Sequence, residues 1–387
     1  INAFALPGGF IGVHSGLLTA SETESEVASV LAHEIAHVTQ RHLARLLGAQ
    51  QQMQLPTMIG MAAALLLGRS RPDLAGGAIA AAQGAAVSAQ LGYSRDFERE
   101  ADRVGFQTLA ASGFDVRAMA IFFEKMQRYS RLLDDGSFPS YLRSHPVTTE
   151  RIADVQNRAA GEPYRQHASS LEYQLVRAKL RADVGDAREA VVHFVGVVRD
   201  GRHASEFAAH YGLASALLRA KAPREAQAEV VRLRAAGTES SMIETLDARV
   251  RLALGDGAGA LTVLKAAYTR YPHRRPVLYA YLETLHDLGR YQDALALLAE
   301  PLRLYPRDTR LHEARAKAYA GLGKRLLQHQ ALAEVYVLQG SLPAAIDQLQ
   351  LAQAAGDGNF YELSTVDARL KELRAEYSRE LQDARKR

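Results

Sequence analysis

The sequence predicts a mainly α-helical protein in two parts: a helical domain edged by a small β-hairpin, then an α-solenoid. Three observations carry this prediction. Turn glycines recur at a fixed interval in the second half. In the first half, apolar residues fall at helical spacing behind a capping pattern, and two short apolar runs flank Pro7-Gly8-Gly9. With 387 residues, 48% apolar and 23% charged, the chain can bury a sizeable core, and disordered or collagen-like classes are excluded.

The runs Asn2 to Leu6 and Phe10 to His14 form the expected hairpin, whose strand can accept an extended peptide through main-chain hydrogen bonds. Asn2-Ala-Phe-Ala-Leu-Pro reads as the inside of a domain, so the chain is expected to be a truncated or processed product with part of its N-terminal scaffold absent. Ser21-Glu-Thr-Glu24 matches a capping box. Val27, Val30, Leu31 and Val38 then mark one amphipathic helix reaching about Leu47.

That helix carries His33-Glu-Ile-Ala-His37. Four residues make slightly more than one turn, so both imidazoles leave one face and can grip one Zn²⁺, with Glu34 beside the metal as general base. A metzincin continuation would need Gly at 40 and His at 43, but Gln40 and Leu43 stand there. His42 is one place off and is expected on the surface or orienting a ligand. Another helix, from Ser94 to beyond Asp102, offers the third ligand. Glu98 and Asp102 share its face, so Glu98 can bind zinc while Asp102 orients an imidazole, and Glu100 points away from that pair.

Between these helices, Leu55 to Gly92 is rich in Ala, Gly and Met. It is read as a mobile lid or membrane-facing hairpin, with two ordinary helices as the alternative. Its most apolar run, Met58 to Leu67, is ten residues long, against the roughly 20 that a membrane span needs. His145 precedes Pro146, which places it in a loop ahead of a helix near Thr149 that bears Arg151.

The first domain is expected over residues 1–160, with a boundary near Gly161-Glu-Pro163, and the repeats over 169–387. Gly255, Gly289 and Gly323 stand 34 residues apart, as do Tyr271-Pro272 and Tyr305-Pro306, which is the tetratricopeptide period. Small residues recur on the first helices (Ala178, Ala214, Ala248, Ala316) and on the second (Ala190, Ala226, Ala260, Ala294, Ala345), where paired helices approach closely. About five units are expected. Gly340 lies half a period beyond Gly323, so the helix between them should serve two neighbours, and the charged stretch from Val366 should cap the array. Such an array is a protein-binding module.

Lys and Arg total 47 against 43 for Asp and Glu, and the first 160 residues hold 14 basic and 15 acidic side chains, so no nucleic-acid partner is indicated. The absence of cysteine excludes thiol catalysis, Cys-ligated zinc and disulfides, and leaves the compartment open.

His33-Glu-Ile-Ala-His37 followed by Ser94-Arg-x-x-Glu98-x-x-x-Asp102 resembles the zinc peptidases that include the CAAX prenyl proteases and the heat-shock protease HtpX. Asn2-Ala-Phe-Ala, Val38-Thr-Gln-Arg-His-Leu-Ala-Arg45, Ser112-Gly-Phe-Asp115 and His145-Pro146 with Arg151 resemble the periplasmic branch with a C-terminal tetratricopeptide array, the beta-barrel assembly-enhancing proteases. The resemblance implies a gluzincin-type zinc metalloprotease domain with one Zn²⁺ per chain on His33, His37 and Glu98. It implies that His145 returns to the metal, either as a reversible fourth ligand that silences the enzyme or as a stabiliser of the tetrahedral intermediate, with Arg151 nearby as an oxyanion donor or a plain helix-surface residue. It further implies a periplasmic endopeptidase acting on misfolded or stalled outer-membrane proteins, repeats that contact the barrel-assembly machinery, and peripheral membrane contact. The alternative expectation is a chaperone-like adaptor working through its repeats, with a latent or structural zinc site.

Overall fold

The structure, a computed structural model, describes residues 1–48, 95–132, 141–142, 145–201 and 205–386. The segment Leu55 to Gly92, read above as a lid or hairpin, lies outside the described residues. The chain divides into two compact units, Ile1–Arg181 and Ala182–Arg387.

In the first unit, β1 (Ala3–Leu6) pairs antiparallel with β2 (Phe10–Val13) in the register Ala3↔Val13 to Leu6↔Phe10. Gly8 and Gly9 supply the positive φ angles of the turn, 89° and 83°. The helices α1 (Ser15–Ala20) and α2 (Glu24–Thr39) follow. The cap of α2 is Thr23, two residues beyond the predicted Ser21, because Thr23-Glu-Ser-Glu26 repeats the same pattern. Thr23 Oγ1 accepts from Glu26 N–H, and the buried Glu26 carboxylate accepts from Glu22 N–H and from Lys125.

The predicted single helix to Leu47 is broken. α2 ends at Thr39, Arg41 adopts a left-handed φ of 55°, and a new helix, α3, runs over 42–48. Three further helices of this unit are α4 over 95–111, α5 (Arg117–Leu132) and α6 (Thr149–Ala160). Met119, Phe122, Phe123 and Met126 make one buried stripe on α5, and Ile152, Val155 and Ala159 make one on α6. Ser169 to Tyr173 also belong to this unit: Glu24 accepts from Ser170 N–H and Oγ, and Tyr173 Oη donates to Ser21 O, which carries the compact unit past residue 163 to Arg181.

The rest is helical hairpins. Beyond α7 (Leu171–Asp183) and α8 (Ala187–Asp200), the pairs α9 (Glu206–Arg219) with α10 (Pro223–Ala235), α11 (Ser241–Ala253) with α12 (Gly257–Arg270), α13 (Arg275–Asp287) with α14 (Tyr291–Leu304) and α15 (Thr309–Gly321) with α16 (Arg325–Leu338) precede α17 (Leu342–Ala354) and α18 (Phe360–Lys386). Each of the nine small residues named above is buried. The period has a backbone cause. Gly255, Gly289, Gly323 and Gly340 all sit at φ between 69° and 84°, and the following N–H donates to the carbonyl five residues back, as in Asp256 to Arg251 and Arg290 to Leu285. As expected, α16 packs on both α15 and α17, and α18 closes the end with Val366, Leu370 and Leu373.

Lys221 holds the place of the missing glycine 34 residues before Gly255, at φ 63°, with the same closing bond from Ala222 N–H to Leu217 O. A side chain in that conformation costs about 1–2 kcal/mol. Lys221→Gly is therefore expected to stabilise the protein by about 1 kcal/mol. Gly289→Ala, at a position with open space around it, is expected to destabilise by about 1 kcal/mol or more, and denaturant melts of the two variants check both signs.

Candidate metal centre

Two helices build the centre. On α2, His33 and His37 project from successive turns, and their Nε2 atoms lie 3.0 Å apart. On α4, Glu98, Asp102 and Gly105 fall at spacings of four and three residues, one face of a helix. A Cβ on Gly105 would lie 3.0 Å from both the backbone nitrogen and the Cα of His33, so any side chain there would have to push two helix backbones apart by a few tenths of an ångström. That contact brings Glu98 to the imidazoles. Its Oε2 is 3.4 Å from His33 Nε2 and its Oε1 is 3.4 Å from His37 Nε2. Asp102 Oδ1 is 2.9 Å from His33 Nδ1, on the far side of the ring.

His145 arrives from the loop before Pro146. Its Nδ1 lies 3.0 Å from Glu98 Oε1 and 3.4 Å from His33 Nε2, and its Nε2 lies 3.5 Å from Glu34. One ligand atom from each of His33, His37, Glu98 and His145 falls within 4.8 Å of the others. Tyr141 packs its ring 4.9 Å from that of His145, a neighbour that no local sequence pattern announced.

Arg151 differs from both sequence expectations. It is 6% exposed, so it is no helix-surface residue, and its guanidinium is engaged: Nε and Nη2 donate to the two oxygens of Asp102 at 2.7 and 2.8 Å, and Nη1 lies 2.9 Å from Glu98 Oε2 and donates to Pro146 O. A fork committed in this way holds carboxylates in place rather than facing a reacting carbonyl.

The electrostatics suit a cation. Burial pulls the His33 pKa down, but hydrogen bonding to Asp102 and Glu98 outweighs burial and lifts it to about 9. Glu98 is pushed the other way by burial, yet the three imidazoles hold it well below the usual carboxylate range. Glu34 is raised, chiefly by burial. Three carboxylates (Glu34, Glu98, Asp102) against one guanidinium leave two negative charges when the imidazoles are neutral, the charge of one divalent ion. Three nitrogen donors and one carboxylate oxygen also match the ligand types that zinc takes. The residues therefore fit the metal.

A family model for "Peptidase family M48" matches residues 1–159, and a tetratricopeptide repeat model matches residues 251–318. The "Beta-barrel assembly-enhancing protease" of Yersinia pestis is 33% identical over 376 residues, covering 97% of this chain and 77% of that one. The chain belongs to peptidase family M48. The protein of the same name from Escherichia coli (strain K12) is 32% identical over 97% of this chain and 76% of its own length. Over 39% of this chain and 28% of its own, the "Mitochondrial metalloendopeptidase OMA1" of Arabidopsis thaliana is 32% identical. This M48 protein is thus a metalloendopeptidase with a tetratricopeptide array.

Alongside the M48 centre lies an open groove of about 600 Å³ whose walls include Phe4, Leu6, Leu43, Leu47 and Phe97 and which reaches Glu34 and His37. It runs past β1, in keeping with an extended peptide laid beside that strand. Sequence reasoning missed the partnership of His42 with Glu100, whose nitrogen and oxygen lie 3.2 Å apart. Glu100 does point away from Glu98 and Asp102, but toward His42 rather than into solvent.

Gly105→Ala forces the backbones of α2 and α4 apart. It is expected to destabilise the protein by about 1–3 kcal/mol and to weaken metal binding, read by thermal melts with and without added zinc.

Proposed function

We propose that this M48 metallopeptidase is a periplasmic zinc endopeptidase that degrades misassembled outer-membrane proteins and, through its repeats, assists β-barrel assembly in contact with the barrel-assembly machinery. Residues 1–160 are the peptidase domain and 169–387 the repeat domain. Support for the barrel-related role comes from the name carried by relatives that align over 97% of the chain. The observation that carries the enzymatic reading is the convergence of His33, His37 and Glu98 beside the buried Glu34 carboxylate.

His33, His37 and Glu98 would hold the zinc, which would supply Lewis acidity toward a scissile carbonyl and a bound water. Burial raises the proton affinity of Glu34, so its carboxylate can take a proton from the attacking water and deliver it to the leaving amine. Asp102, with Oδ1 2.9 Å from His33 Nδ1, would hold the proton on that nitrogen and leave Nε2 free to ligate. Arg151 positions Glu98 and Asp102. His145, whose Nδ1 lies 3.4 Å from His33 Nε2 and 3.0 Å from Glu98 Oε1, would serve as a fourth ligand and so hold the enzyme silent until it moves away.

The same crowding favours a second reading, an adaptor acting through its repeats with a latent site. One experiment separates them: proteolysis of an unfolded barrel protein by wild type, Glu34→Gln and His145→Ala, with zinc content measured for each. Glu34→Gln should keep its zinc and lose about 10²–10⁴-fold in rate, and His145→Ala should gain activity. Loss on His145→Ala assigns that residue to the tetrahedral intermediate instead. Complete rescue of assembly by Glu34→Gln, with no cleavage by wild type, assigns the protein to the adaptor class.

A further inference from the structure

On an unbroken α2 helix, residue 42 would lie about 140° around the axis from His37. The left-handed turn at Arg41 reverses the chain instead, and His42 folds back with its Nδ1 2.9 Å from His37 Nδ1. His42 is 4% exposed and its ring stacks on Phe97 at 4.6 Å with 14° between planes. Its Nε2 lies 3.2 Å from Glu100 Oε2. Arg45 in turn donates to that same oxygen at 2.7 Å and lies over the other ring partner, Phe97.

We infer that His42 and Glu100 are positioning residues that fix the tautomer and orientation of the His37 imidazole, so that its Nε2 lone pair faces the metal. The inference rests on the reading of His37 as a ligand. The chemistry of the end of the chain decides the direction of each bond. A carboxylate only accepts, so His42 Nε2 must carry the proton that it donates to Glu100. A neutral imidazole has one N–H, so His42 Nδ1 is an acceptor. His37 Nδ1 must then donate, and its remaining nitrogen, Nε2, is the one left with a lone pair. The opposite assignment places an imidazole lone pair against a carboxylate lone pair at 3.2 Å.

The two imidazoles of the motif are thus set by two carboxylates of the same helix. Asp102 acts on His33 directly, and Glu100 acts on His37 through His42. Such outer partners of ligating histidines are worth about 10–100-fold in metal affinity.

The test uses the full chain and zinc itself, with affinity measured by competition against a chromophoric chelator for wild type, His37→Ala, His42→Phe and His42→Asn. His42→Phe keeps the stacking on Phe97 but accepts no hydrogen bond, and should bind zinc about 10–100-fold more weakly. His42→Asn restores an acceptor oxygen near the Nδ1 position and should recover most of that loss. In parallel, ¹⁵N spectra of histidine-labelled wild type should show the His37 proton on Nδ1, a readout that does not depend on how well any variant folds. Affinity within twofold of wild type for His42→Phe, or equal losses for the Phe and Asn variants, would each overturn the inference while leaving the ligand reading intact, whereas a His37 proton on Nε2 would overturn both, because a protonated Nε2 has no lone pair to ligate with. Wild type that binds zinc no better than His37→Ala would overturn the ligand reading, and this inference with it.

Discussion

The centre depends on one close approach between two helices. Glu98, Asp102 and Gly105 form a single stripe on α4, and at Gly105 that stripe lies against the backbone of His33, where a Cβ would come within 3.0 Å. With the crossing fixed there, Asp102, one turn earlier, reaches Nδ1 of His33. Glu98, a further turn along, reaches the Nε2 atoms of both imidazoles. The spacing along α4 therefore gives its carboxylates different partners. The one farther from the crossing meets the Nε2 atoms of both imidazoles, and the nearer one meets the back of a ring. A wider interaxial distance would leave the same residues on the same faces with their atoms out of reach.

Burying so many polar groups opposes folding unless each is matched. Arg151 supplies most of the matching. It holds both oxygens of Asp102, one of Glu98 and the carbonyl of Pro146, while its guanidinium rests 4.9 Å from the ring of Phe123. Phe123 belongs to the apolar stripe of α5, so the polar cluster sits on the hydrophobic core of the unit rather than replacing it. The carbonyl of Pro146 is part of the same arrangement: Arg151 ties down the residue after His145, and so the loop that brings His145 to Glu98 is anchored by the group that orients Glu98.

What the sequence revealed, and what it did not, follows from the range of the interactions. His33, Glu34 and His37 were legible because one helical turn alone places them together. Glu98 and Asp102 were legible because four residues return to one face. The repeat array was legible because left-handed turns at a constant interval favour glycine, and Lys221 shows that the backbone motif persists where that marker is gone. The burial of Arg151 was not visible, since its partners lie 49 residues away on another helix, and a charged side chain early in a helix ordinarily faces water. Nor was the cap of α2, where two overlapping four-residue patterns compete and the buried Glu26–Lys125 contact, 99 residues apart, accompanies the one that forms.

The break after Thr39 was the least visible feature, because Val38, Leu43, Leu46 and Leu47 continue an apolar pattern that reads as one helix. Arg41 bears a Cβ in a region that costs about 1–2 kcal/mol, so the turn does not arise from local preference. Two consequences of the turn act against that cost. It folds His42 onto His37 and stacks its ring on Phe97, and it redirects the chain so that Leu43 and Leu47 stand at the wall of the groove beside the metal ligands. Leu43 and Leu47 are 42% and 53% exposed, so their burial cannot be what holds the turn in place. Among the described residues, the contacts of His42 and Arg45 with Phe97 and Glu100 act to hold it. One left-handed residue thereby couples the contact of His42 with His37 to the shape of the adjoining groove.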